Sequence, residues 1–149
     1  MAATRKFRFK ECSKFLEKSE PQEAMMDVIR STVGNGILVA PCGCGKSAVI
    51  IEALMAAGTL GLVLCYESQG VFQMAEAIRS NTSIFDFQLY VFSGKSKKVP
   101  QRNAPYCYFI TTYGMFSKAT SGSGEASKEA RKFVFETPWD LVCLDEFHH

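Results

Sequence analysis

Two short stretches of this 149-residue chain gather residue types that do phosphate chemistry. The first, Ala40-Pro-Cys-Gly-Cys-Gly-Lys-Ser47, fits the phosphate-loop pattern G-x-x-x-x-G-K-S/T, with Ala40 in place of the first glycine. Gly43 and Gly45 let the backbone curl until consecutive N–H groups point at phosphate oxygens. A helix opening near Lys46 adds the positive end of its dipole. Pro41, Cys42, Gly43, Cys44, Gly45, Lys46 and Ser47 are therefore expected to hold ATP. Lys46 would reach the β- and γ-phosphates, and the Ser47 hydroxyl would ligate Mg2+.

The second stretch is Leu141-Val-Cys-Leu-Asp-Glu-Phe-His148, an apolar run that delivers two carboxylates to its end. Ligands bind at the C-terminal ends of strands in open parallel sheets. There Asp145 is suited to holding Mg2+ and Glu146 to orienting or deprotonating water, with His148 placed to sense the γ-phosphate. An acidic turn closing a strand is the plain alternative for this stretch alone; beside a phosphate loop, the pair points to phosphoryl transfer. Cys42 and Cys44 with His148 and His149 suggest zinc only weakly, because C-x-C spacing suits a structural site poorly.

The flanking pattern supplies the elements that must position these residues. Ile37–Ala40 reads as a buried strand before the loop, and Ser47–Ala57 as the helix after it. Further strands are expected at Leu62–Tyr66, Phe87–Phe92, Tyr106–Thr111 and Leu141–Leu144. Helices are expected from Pro21 to a stop at Gly34-Asn-Gly36, over Val71–Arg79 and over Ser127–Phe135. Such alternation means an α/β fold built on a parallel sheet. Residues 1–19 read as an arm or linker, and residues 20–149 as one domain.

Composition agrees with a globular chain: 47% hydrophobic, 21% charged, net charge +2. No apolar run approaches the roughly 18 residues of a membrane span, so no membrane partner is expected. Six cysteines without a secretion signal read as reduced thiols of an intracellular protein.

Asp145-Glu-Phe-His148 with Pro41-Cys-Gly-Cys-Gly-Lys-Ser47 resembles motifs II and I of superfamily 2 DExH helicases, in the form found in the XPB family, DNA helicase/translocase subunits of TFIIH. Glu20-Pro-Gln22 resembles the segment whose glutamine reads adenine, Leu62-Val-Leu-Cys-Tyr66 resembles motif Ia, and Phe109-Ile-Thr-Thr-Tyr113 resembles motif Ib. Cys44 and Phe147 depart from the alanine and valine usual there. The resemblance implies a RecA-like P-loop NTPase lobe, incomplete at its C-terminus after motif II, that binds ATP and Mg2+. It implies Gln22 as a further ATP contact and Thr111, Thr112 and Tyr113 as DNA contacts. A second RecA-like lobe, TFIIH-like subunits, work in transcription initiation and nucleotide excision repair, and the nucleus are implied with it. The residues themselves are equally compatible with a viral or cytoplasmic origin.

Three readings compete from the residues. One is the lobe just described, nearly inactive alone because it lacks the second lobe's arginine. Another is a different P-loop ATPase or a nucleotide kinase. The third is a non-catalytic nucleic-acid-binding module that keeps the fold. Thr111–Tyr113 is also what a strand end of good β propensity looks like. Lys95, Lys97 and Lys98 form either a solvated basic loop or a contact to DNA phosphates.

Overall fold

The computed structural model of the chain describes residues 7–31, 36–40, 45–94, 96–100, 107–117 and 124–145. Its elements follow in the order α1 (Glu20–Ser31), α2 (Lys46–Ala57), β1 (Leu60–Cys65), α3 (Ser68–Asn81), β2 (Leu89–Ser93), β3 (Ser96–Lys97), β4 (Cys107–Thr112), α4 (Gly114–Ser117), α5 (Glu125–Glu136) and β5 (Leu141–Leu144). A 3₁₀ turn at Asp86–Gln88 leads into β2.

The five strands form one sheet in the order β3-β2-β4-β1-β5. β2, β4, β1 and β5 are mutually parallel, and β3 folds back antiparallel on β2. Alternate residues serve opposite faces, as the two-residue period of a strand requires. Val63 and Cys65 of β1, with Tyr108 and Ile110 of β4, meet Ile51, Leu54 and Met55 of α2 and Val71, Met74 and Ile78 of α3. Leu62, Leu64, Cys107 and Phe109 face the other way, toward Ala130 and Val134 of α5, with Trp139 packed beside them. Full burial of each large side chain contributes about 1.5–3 kcal/mol, so this double-faced centre is a major stabilising element.

α2 is apolar nearly all round because it is packed on two sides. Ile51, Leu54 and Met55 meet the sheet cluster, while Val49 meets Met25 and Met26 of α1. Its one buried acid, Glu52, is 5% exposed. Lys18 contacts Glu52 Oε2, and Arg30 of α1 lies 3.7 Å from Oε1. The Lys18 ammonium also sits 5.3 Å from the centre of the Phe9 ring.

Two expectations need correction here. The arm is anchored in the core by two of its side chains: Phe7 and Phe9 are buried, Phe9 bridges Thr82, and Phe7 meets Tyr108 edge-on at 5.7 Å. The alternation Phe7-Arg8-Phe9-Lys10 is that of an extended segment with one face inward. The run Ile37–Ala40, expected as a buried strand, is in no strand, and Ile37 and Val39 are 78% and 89% exposed. An apolar run records a need for cover without naming the strand that gives it, and no described residue pairs with this one.

The other elements lie within a few residues of expectation, and β5 coincides with it. Neither short α4 nor β3 was anticipated. Within the expected basic loop, Gly94 turns the β2–β3 hairpin, Lys97 lies in β3, Lys98 follows it, and Lys95 is outside the described residues. Of the Ser/Gly stretch at 121–124, only Gly124 is described. Among the described residues no helix is long and apolar enough to cross a membrane.

Candidate nucleotide-binding site

Chain direction decides which edge of the sheet each candidate occupies. α2 ends at Ala57 and β1 starts at Leu60, so the helix runs antiparallel to the strands. Twelve helical residues rise about 18 Å and six strand residues about 20 Å, which puts Lys46 at the C-terminal edge of the sheet. The opposite edge is pinned by Asp140, whose carboxylate accepts the N–H groups of Thr59 and Leu60, each at 2.9 Å.

Asp145 lies at the Lys46 edge, directly after β5. Its N–H donates to the Leu64 carbonyl at 2.8 Å, which extends the β1–β5 ladder by one step. Leu141 and Cys143 pack against the α2–α3 cluster, while Val142 and Leu144 are half-exposed on the other face. Alternation therefore turns Asp145 to the α2 side. Its charge acts there. Burial first, and Asp145 second, push the thiols of Cys65 and Cys143 up to about 12 and about 11. Burial alone raises Cys107 to about 12. Cys12, Cys65, Cys107 and Cys143 are free thiols.

The start of α2 has the chemistry of an anion site. Gly45 precedes the helix at φ 79°, in the left-handed region that favours glycine, and among the described residues no side-chain cap or first-turn acid occupies the N-terminus. Lys46 is half-buried and Ser47 exposed at this mouth. Gln22 holds Gly45 from the α1 side. Its Nε2 donates to the Gly45 carbonyl at 3.2 Å, and a Cβ built on Gly45 would lie only 2.1 Å from that nitrogen. The Gln22 Oε1 accepts the Ser19 N–H at 2.8 Å, and the Gln22 N–H reaches the Ser19 hydroxyl at 3.4 Å. This is a capping box, and the spacing Ser19-x-x-Gln22 is its signal in the sequence. Both polar ends of Gln22, expected as an ATP contact, are thus engaged within the protein.

The motif Ib residues separate into three roles. Thr111 needs correction as a DNA contact: it is fully buried, and its hydroxyl donates to the Phe92 carbonyl at 2.7 Å. Thr112 is half-buried at the end of β4. Tyr113 sends its N–H to the Cys65 carbonyl at 3.1 Å and its hydroxyl to the Asp145 carbonyl at 2.9 Å. Nothing in the sequence pointed to that last contact, because it depends on β4 and β5 flanking β1. Pro41, Cys42, Gly43, Cys44, Glu146, Phe147, His148 and His149 lie outside the described residues.

Known proteins resemble the chain along most of its length. The chain is 30% identical over 125 residues to the general transcription and DNA repair factor IIH helicase/translocase subunit XPB of Drosophila melanogaster, 80% of this chain. It is 33% identical over 117 residues to XPB2 of Arabidopsis thaliana, 76% of this chain. The chain is similar to a segment of the XPB helicase/translocase subunits. The XPB-like match extends to a bacterial protein, the DNA 3'-5' helicase XPB of Mycobacterium tuberculosis, at 28% over 116 residues. The chain spans 15%, 14% and 19% of the lengths of these three XPB proteins. No family model matches it. The mostly parallel sheet with flanking helices is the α/β lobe that an XPB-like, RecA-like segment requires.

Proposed function

We propose that this chain is the ATP-binding lobe of an ATP-dependent DNA helicase/translocase. In that reading it works with a second RecA-like lobe and TFIIH-like subunits, opening DNA in nuclear transcription initiation and nucleotide excision repair. What supports the reading is that Asp145 follows β5 directly, at the sheet edge where Lys46 and Ser47 open α2, with strand alternation turning it to the α2 face.

The residues present fit Mg2+ with a nucleotide. An uncapped helix start and a lysine suit phosphate, and a serine hydroxyl with a carboxylate is a hard oxygen set suited to magnesium. When bound, Mg2+ supplies charge neutralisation at the phosphate oxygens. The protein's own part is to hold and exclude. Lys46 would contact the β- and γ-phosphates, Ser47 and Asp145 would hold the ion, Glu146 would orient or deprotonate water, and His148 would sense the γ-phosphate. Gln22 keeps Gly45 in its left-handed turn, so the first N–H groups of α2 stay aimed outward. Thr112 is the hydroxyl of motif Ib best placed for a DNA phosphate.

The test is ATP binding by calorimetry with Mg2+ present. Lys46→Ala removes a charge-assisted contact and should weaken binding about tenfold or more. Unchanged affinity in that variant overturns the reading.

A further inference from the structure

Tyr113 is tied at two points to strands that are not its own. It follows β4, its N–H bonds the end of β1, and its hydroxyl reaches across β1 to the backbone of Asp145 after β5. Its ring packs in the apolar cluster on the α5 face, so the hydroxyl is delivered from a fixed base. The Asp145 N–H is held by Leu64 and its carbonyl by Tyr113, which clamps both sides of the residue. We propose that Tyr113 is a positioning residue that fixes the Asp145 carboxylate and ties its placement to the turn after β4. The inference rests on the nucleotide-site reading above and gives Tyr113 this role in place of a direct DNA contact. A shift of the Thr112–Tyr113 turn then displaces Asp145, and the strap becomes a route from the motif Ib segment to the magnesium site.

The experiment titrates MgCl2 into the 149-residue chain mixed with a fluorescent ATP analogue, and repeats the binding in EDTA. Tyr113→Phe keeps the ring and removes the hydroxyl. The magnesium requirement should rise roughly fivefold, the effect of one lost hydrogen bond on an equilibrium, while affinity in EDTA stays unchanged. Tyr108→Phe is the structural control, because its hydroxyl donates to the Gly58 carbonyl at 2.8 Å on the opposite edge of the sheet. It should lower thermal stability without moving the magnesium requirement. In an Asp145→Asn background, Tyr113→Phe should add less than a twofold change, since the carboxylate it positions is gone. A wild-type magnesium requirement in Tyr113→Phe, with Lys46→Ala still impaired, overturns the positioning role and leaves the site reading standing. Equal shifts in Tyr113→Phe and Tyr108→Phe overturn it as well. Absence of any magnesium effect in the wild type overturns both readings together.

Discussion

Replacing Lys18 by methionine tests whether the N-terminal arm is structural. The Lys18 and Glu52 side chains are each 7% exposed, so their ion pair is largely screened from water. Removing one partner of a buried pair costs about 3–5 kcal/mol, because the remaining charge keeps its desolvation penalty. Arg30 remains 3.7 Å from Glu52 but is half-exposed, and exposed pairs contribute about 0–1 kcal/mol. The lost cation–π contact with Phe9 adds about 0.5–1 kcal/mol. Together these place Lys18→Met near 3–4 kcal/mol of destabilisation, a large part of the roughly 5–15 kcal/mol typical of a domain. At about 2–4 °C per kcal/mol for this size, the midpoint of thermal unfolding falls by about 6–16 °C. Lys18→Met with Glu52→Leu removes both charges and should recover most of the loss, because apolar replacement of a buried pair is close to neutral. Urea unfolding of the four proteins closes the cycle. A single variant within about 1 kcal/mol of wild type, or a double variant as unstable as the sum of the singles, refutes the buried-pair argument.

Two further outcomes follow from the same structure. Asp140→Ala removes the acceptor of two backbone N–H groups and should cost about 1–3 kcal/mol in chemical unfolding while leaving ATP affinity unchanged. A loss of ATP affinity without a loss of stability would contradict its placement at the far edge. Alkaline stability should fall through the thiols. Cys65, Cys107 and Cys143 are protonated in the fold up to about 12, 12 and 11, whereas unfolded thiols ionise near 9. Unfolding therefore releases protons above pH 9, and stability present below that value is lost as the pH climbs toward 11–12. Melting curves between pH 8 and 11 check this; flat stability across that range contradicts it.

The candidate site was legible where side-chain chemistry is local. Lys46, Ser47 and Asp145 announce themselves by residue type at fixed spacing, and β5 by four apolar residues ending at an acid. What stayed hidden depends on partners distant in the chain. Glu52 is an isolated acid in an otherwise apolar helix, and only the docked arm reveals why it is tolerated. Phe7 and Phe9 alternate with basic residues, so charge masked a strand-like pattern. Gln22 resembled a base reader, but its local capping signal describes its contacts in the structure. Ile37–Ala40 carried the composition of a buried strand without a pairing partner among the described residues.

β5 pairs on one edge with β1, and among the described residues nothing pairs with its other edge. Val142 and Leu144 remain 47% and 45% exposed, so the strand presents a short, sticky ribbon to the solvent. Natural sheets guard such ribbons against aggregation with charges or prolines, and Leu141-Val-Cys-Leu144 contains neither. The guard stands immediately after it, in Asp145 and Glu146. Acids flanking an apolar strand are the pattern of solubility gatekeepers, and the acids proposed for magnesium and water stand in that position in the sequence. Neutralising them removes the like-charge repulsion between ribbons of neighbouring molecules, and precipitation of the variant protein will imitate a loss of nucleotide binding unless light scattering is followed alongside.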